Sequence, residues 1–134
     1  MRILLDANIV IDILAKRDGY VGSREVLRFC EAGRADGYVT TTTVTDVMYI
    51  LRKHINPSHV KDAVQTLLSI VDVAGVLKND IVSAFTSEMM DDEDAVQASC
   101  ATRLKADFII TRNVRDFKDS AVSAILPEEF LKLR

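Results

Sequence analysis

Four aspartates, Asp6, Asp46, Asp94 and Asp116, are spaced so that strands and helices can carry them to one place. Asp6 directly follows the apolar run Arg2-Ile3-Leu4-Leu5. Asp46 falls in the first turn of a helix expected after a β-branched run. Asp94 falls in the first turn of the helix expected before a second buried run, and Asp116 lies just beyond that run. Tyr49 and Ile50 follow Asp46 at helical spacing, and Gln97, Ala98 and Ala101 follow Asp94, so each acid heads a stripe expected to face the core. Burying an ionised carboxylate is costly unless a partner offsets it. The basic residues close by in sequence are Arg112 and Arg115, and no His or Cys accompanies the acids. An oxygen-only donor set suits Mg²⁺ or Mn²⁺, so the chemistry these residues suggest is that of a hard divalent cation.

The same residue types have plainer uses. Acids near helix N-termini cap the helix and favour its dipole. Asp91, Asp92 and Glu93 read as capping or solvated acids, and Asp94 alone fits a cap as well as a site. Asp116 alone reads as a loop acid, whereas an acid directly after a buried strand, as Asp6 is, reads as functional. Asp12, one helical turn beyond Asn8, reads as an exposed helix residue. His54 and His59 flank Asn56-Pro57 and read as surface residues that form no transition-metal site.

The elements that must position the acids alternate. Strands are expected over 2–6, 37–41, 70–73, 107–111 and 124–126. Helices are expected over 8–15, 23–32, from 42 or 43 to 55, then 58–68, 78–89 and 93–105, with a terminal helix opened by Pro127-Glu128-Glu129. Strands separated by helices imply an α/β fold, with a mainly parallel sheet and helices on both faces. Ligands in such sheets bind outside the carboxyl ends of the strands. Connectivity places Asp6, Asp46 and Asp116 near that edge, while the position of Asp94 depends on the tilt of its helix.

Composition bounds the possibilities. The 134 residues make one domain over 1–134, and 49% hydrophobic with 28% charged residues is an ordinary globular balance. A net charge of −3 excludes a whole-surface basic field for nucleic acid, though not a local patch such as Lys16 with Arg17. Cys30 and Cys100 lack metal-site spacing and read as buried thiols in a reducing compartment. No apolar run is long enough to span a membrane, and Asp6, Asn8 and Asp12 interrupt the N-terminal apolar stretch, so no membrane association and a cytoplasmic location are expected.

Four segments carry a resemblance: Leu4-Leu5-Asp6-Ala7-Asn8, the stretch from Thr43 to Leu51, Asp92-Glu93-Asp94-Ala95-Val96-Gln97, and the stretch from Asp107 to Phe117 containing Thr111-Arg112-Asn113-Val114-Arg115-Asp116. In this order they resemble the motifs of PIN domains, and most closely the small bacterial VapC-like toxins of toxin–antitoxin pairs. The likeness covers nearly the whole chain. It implies a PIN-like three-layer sandwich around a mainly parallel sheet of about five strands, and Mg²⁺- or Mn²⁺-dependent cleavage of single-stranded RNA. It also implies a homodimer neutralised by a cognate antitoxin protein. Position by position, Asp6, Asp46, Asp94 and Asp116 match the four acidic metal-site positions. Asn8 and Thr111 match residues that hold the site by hydrogen bonds, and Asn113 falls beside the fourth acid. The family most often carries Glu at the second acidic position. Asp46 is one methylene shorter, which leaves room for a water between it and a metal.

Phosphodiester hydrolysis fits these residue types. A metal lowers the pKa of a water and neutralises phosphate oxygens, and two metals about 4 Å apart can clamp the attacking and leaving oxygens. Asp94 or Asp116 is the candidate proton acceptor. Arg112 and Arg115 flank the fourth acid and are candidates to bind the RNA backbone as phosphate contacts, with solvated loop charges as the alternative. Two other readings compete. Phosphotransfer domains of the haloacid-dehalogenase or receiver type also place Asp after the first strand. The former wants a second Asp where Asn8 stands, and the latter an acid after the third strand, where Val73-Ala74-Gly75 follows. A catalytically weak RNA- or protein-binding module on the same fold is the non-enzymatic alternative, and Asp46 is the feature that allows it.

Overall fold

The strand β1 (Arg2–Leu5) is buried on both faces, and the period of two along it divides the core. Ile3 and Leu5 point into one apolar cluster and Leu4 into another. The structure, a computed structural model, describes residues 1–133. β1 lies at the centre of a five-stranded sheet in the order β3-β2-β1-β4-β5, formed with β2 (Asp36–Thr40), β3 (Asp72–Ala74), β4 (Phe108–Ile110) and β5 (Ala124–Ile125). Every pairing is parallel. The expected α/β class, with a parallel sheet of five strands, is therefore what the chain adopts.

Helices cover both faces, as a sheet of buried parallel strands requires. On one side α1 (Ala7–Leu14), α2 (Tyr20–Glu31), α3 (Thr41–Leu51), α4 (Pro57–Leu68) and α7 (Pro127–Lys132) bury Ile9, Val26, Val47, Leu51, Val60 and Phe130 against Ile3, Leu5 and Ile110. On the other, α5 (Lys78–Phe85), α6 (Asp92–Arg103) and the 3₁₀ turn Val114–Phe117 pack on Leu4 and Ile109. The buried face of α6 is Ala95, Ala98 and Ala101, small side chains that let the helix lie close to the sheet.

Several boundaries differ from those read off the sequence, each for a local reason. α2 starts at Tyr20 because Gly19, at φ +81°, takes the left-handed conformation that turns the chain into the helix. α3 starts at Thr41 because the Thr40 hydroxyl accepts the Thr43 N–H at 3.1 Å. The N–H groups of Ile70 and Val71 bond back to the Leu67 carbonyl, so those residues finish α4 and β3 begins later. α5 stops at Phe85, where Thr86 and Ser87 side chains compete for backbone groups: the Thr86 hydroxyl bonds the Ser83 carbonyl, and Ser87 Oγ accepts the Met89 N–H.

Candidate active site

Asp6 is the best-held side chain at the carboxyl edge of the sheet. It leaves β1 and caps α1, accepting the Ala7 N–H at 2.8 Å, and is 8% exposed. Its Oδ2 accepts the Thr111 hydroxyl from the end of β4 at 2.8 Å and Asn8 Nδ2 at 3.3 Å. Its Oδ1 accepts Gln97 Nε2 from α6 at 3.0 Å. Burial pushes its pKa above the usual carboxylate value; the bonds from Thr111, Ala7 and Gln97 oppose this, and the charge of Asp116 adds to it.

Asp94 stands in the first turn of α6. Its N–H donates to Asp91 Oδ1 at 2.9 Å, so Asp91 is the cap and the Asp94 carboxylate is spared that role. Burial, then the charges of Asp91, Asp6, Asp116 and Glu93, raise its pKa to about 7. The charge of Asp116 thus reaches both Asp6 and Asp94, and α6 brings Asp94 close enough to Asp6 for their charges to interact, a placement that connectivity alone left to the tilt of the helix. Asp116 sits exposed on the 3₁₀ turn, its N–H bonded to the Asn113 carbonyl.

A cavity of about 330 Å³ opens beside Asp6 and Asp94. Asp6, Asp46, Glu93, Asp94 and Gln97 line it, together with apolar surface from Val76, Ile81 and Val96, and no basic side chain does. Among the described residues, no three His, Cys, Asp or Glu side chains are gathered tightly enough to form a ready-made metal cage. The oxygen-only donor set and the uncompensated negative charge nevertheless suit a hard divalent cation.

Two expectations about phase are overturned. Asp46 lies in the second turn of α3, because Thr40 rather than a later threonine caps the helix, and it is exposed. The core face of α3 is Thr43, Val47 and Leu51, and Tyr49 is 64% exposed, so the Asp46 stripe faces outward although Asp46 still borders the cavity. Asp12, expected to be exposed, is buried at 6% and accepts Arg112 Nε at 3.1 Å.

Arg112, expected as a phosphate contact or a solvated loop charge, is not solvated: it is held within the protein. Its guanidinium is occupied by Asp12, by both oxygens of Glu128 at 2.9 and 3.0 Å, by Ser23 Oγ at 3.3 Å and by the Gly19 carbonyl. Burial works against its charge, but Glu128 and Asp12 hold it more firmly protonated than usual. Arg115, Lys118, Lys16 and Arg17 are exposed. Asn8 bridges the site: Nδ2 donates to Asp6 and Thr111, and Oδ1 accepts the Arg112 N–H at 3.2 Å. Asn113 is exposed and donates its N–H to Thr111 Oγ1 at 3.0 Å. His54 and His59 are exposed, and Cys30 and Cys100 are buried and free. No helix among the described residues is long and apolar enough to cross a membrane.

Sequence reasoning placed Gln97 on the core stripe of α6 and gave it no role at Asp6. It also passed over Asp80 of α5, which is 2% exposed and bonded by Leu77 N–H, Ser99, Cys100 and Arg103. The available signal for Gln97 was its position one helical turn after Asp94 on a face otherwise made of alanine.

The sequence model of the PIN domain family matches residues 2–115. No curated protein matches the chain. Among solved structures, a toxin–antitoxin complex from Klebsiella pneumoniae is 22% identical, with a TM-score of 0.71 over 92% of this chain and 96% of that one. DNA-bound VapBC from Salmonella typhimurium is 15% identical, with a TM-score of 0.75 over 95% and 98%. Mycobacterium tuberculosis VapC20, described as a sarcin–ricin loop cleaving toxin, is 13% identical, with a TM-score of 0.62 over 80% and 86%. At such identities the likeness establishes the fold.

Proposed function

The chain belongs to the PIN domain family, and from that membership we propose that it is a metal-dependent endoribonuclease cleaving single-stranded RNA, the toxin of a bacterial toxin–antitoxin pair. The observation that carries this reading is the convergence of Asp6, Asp46 and Asp94 on a cavity that no basic side chain lines, with the charge of Asp116 reaching Asp6 and Asp94. Asp6, Asp94 and Asp116 would hold Mg²⁺ or Mn²⁺, with Asp46 reaching it through a water. When bound, the ion would supply a Lewis acid for phosphate oxygens and a lowered pKa for water.

The protein's own groups have distinct tasks in this reading. Thr111, Asn8 and Gln97 fix the Asp6 carboxylate by three hydrogen bonds, so its oxygens cannot swing away as charge develops. A carboxylate oxygen of Asp94 or Asp116 accepts the proton released by the attacking water. Exposed Arg115 contacts the RNA backbone without reading sequence. The apolar wall of Val76, Ile81 and Val96 accommodates an unstacked base, which a duplex cannot offer.

The toxin assignment and a cognate antitoxin draw support from the likeness to toxin–antitoxin complexes; the homodimer is part of the same proposal and rests on the family resemblance alone. A second reading, a PIN-fold binding module with a weak metal site, draws on the exposure and short reach of Asp46. A labelled single-stranded RNA incubated with purified protein and Mn²⁺ or Mg²⁺ separates the two. Cleavage that stops in EDTA supports the nuclease; binding without cleavage under every metal condition supports the module; cleavage that persists in EDTA defeats the metal dependence.

A further inference from the structure

Arg112 is the residue immediately after Thr111, at the end of β4, and α1 grips it twice. Asn8 Oδ1 accepts its backbone N–H at 3.2 Å, and Asp12 Oδ2 accepts its Nε at 3.1 Å. Asn8 and Asp12 are four residues apart on one face of the helix, so the arginine lies along α1. The start of α2 adds the Gly19 carbonyl and buried Ser23 Oγ, and α7 adds the bidentate Glu128 carboxylate. Two glycines make this convergence possible. Gly19 presents its carbonyl from φ +81°, and a Cβ at Gly22 would lie 2.4 Å from Glu128 Oε1.

The charge count decides what this arrangement does. Asp12 and Glu128 place two carboxylates on one guanidinium, with Asp12 buried beneath it. An RNA phosphate would have to displace Glu128 and would still face Asp12. The hold passes instead along the backbone: Asn113 N–H bonds Thr111 Oγ1, and Asp116 N–H bonds the Asn113 carbonyl. We propose that Arg112 is a positioning residue: clasped by Asp12, Ser23 and Glu128, it fixes the segment from Thr111 to Asp116 so that the fourth acid faces Asp6 and Asp94, and it does not touch RNA. Its catalytic consequence rests on the nuclease reading above; its effect on cation affinity does not.

The test compares wild type with Arg112→Ala, Glu128→Gln and Gly22→Ala, the last of which forces the Glu128 carboxylate off its seat while leaving the Asp12–Arg112 pair in place. Mn²⁺ affinity is followed by electron paramagnetic resonance, steady-state cleavage under saturating RNA gives kcat, and fluorescence anisotropy gives the RNA Kd. Arg112→Ala is expected to weaken Mn²⁺ binding roughly tenfold and to lower kcat, with RNA Kd unchanged. Glu128→Gln and Gly22→Ala should show the same pattern more weakly, and they carry the test if Arg112→Ala does not fold. A weaker RNA Kd with intact Mn²⁺ affinity would overturn the proposal in favour of a phosphate contact. A lower melting temperature with both Mn²⁺ affinity and kcat unchanged would overturn it in favour of a purely structural clasp. A wild type that cuts no RNA defeats the nuclease reading alone, because the Mn²⁺ titrations then decide the clasp by themselves.

Discussion

Gln97 Nε2 donates to Asp6 Oδ1 across 3.0 Å, joining residues 91 apart in sequence. Its Oε1 stands 3.2 Å from the Thr40 hydroxyl, so one uncharged amide ties α6 to the ends of β1 and β2. Replacing it with Leu keeps much of the shape and leaves Asp6, Thr40 and Thr43 each short of a bond. Such losses at part-buried groups cost about 1–3 kcal/mol. Urea unfolding in EDTA should show Gln97→Leu less stable by that order, and RNA cleavage should fall with it. Unchanged unfolding would mean that water replaces the amide and that the link is incidental.

Asp6→Asn and Asp116→Asn are expected to abolish cleavage while circular dichroism stays native, since an amide keeps the shape but not the charge that holds a cation. Asp12→Asn belongs to a different class. It leaves the buried side of the Arg112 guanidinium facing a neutral group, and breaking a buried charge pair is strongly destabilising. Thermal unfolding should separate them, with Asp12→Asn melting well below Asp6→Asn.

Asp80 gives the fold an acid-sensitive point away from the site. Burial opposes its ionisation, but Arg103, the Leu77 N–H, Cys100 and Ser99 outweigh burial and bring its pKa from 3.8 to about 2. A folded pKa below the unfolded one contributes stability that is full above about 4 and is lost as the pH falls towards about 2. At neutral pH the shift corresponds to about 2 kcal/mol. Asp80→Asn should therefore be less stable than wild type by this order at pH 7, with the gap closing below pH 4. A gap that stays constant down to about pH 2 would assign the loss to packing rather than charge.

Much of the fold was readable because apolar runs and helical stripes are local. Ile3, Leu4 and Leu5 announce a strand buried on both faces, and Ala98 and Ala101 announce the packed side of α6. Phase at helix starts was less readable. A single hydroxyl, Thr40, moves the start of α3, and Thr43, Val47 and Leu51 take its core face, which leaves Tyr49 and Asp46 outward. Least readable was the clasp on Arg112, whose partners Asp12 and Glu128 lie 100 and 16 residues away. Nothing local distinguishes Asp12 from a solvated helix acid, because only the arrival of Arg112 from β4 makes its burial affordable. Gln97 escaped a role for the same reason: its partner Asp6 is brought to it by the sheet.

Asp94 tests whether crowded acids cost the protein stability. Burial, followed by the charges of Asp91, Asp6, Asp116 and Glu93, raises its pKa from 3.8 to about 7. A carboxyl group with a folded pKa above its unfolded one binds more protons when folded, so it destabilises the fold at high pH. The penalty is complete above about pH 7 and fades as the pH falls from there towards 4. Asp94→Asn removes the charge and keeps nearly the same shape. In EDTA at pH 8 it should raise the melting temperature by a few degrees, about 1 kcal/mol in a domain of this size, since mobile ions already screen part of the repulsion. At pH 5 the advantage should shrink. Mg²⁺ should stabilise the wild type more than the variant, because a cation bound only to the folded site shifts unfolding by mass action. Melting curves at both pH values, with EDTA and with Mg²⁺, provide the comparison. A variant that melts lower than wild type at pH 8 in EDTA and responds to Mg²⁺ as wild type does would make Asp94 a structural acid of α6 and remove it from the site.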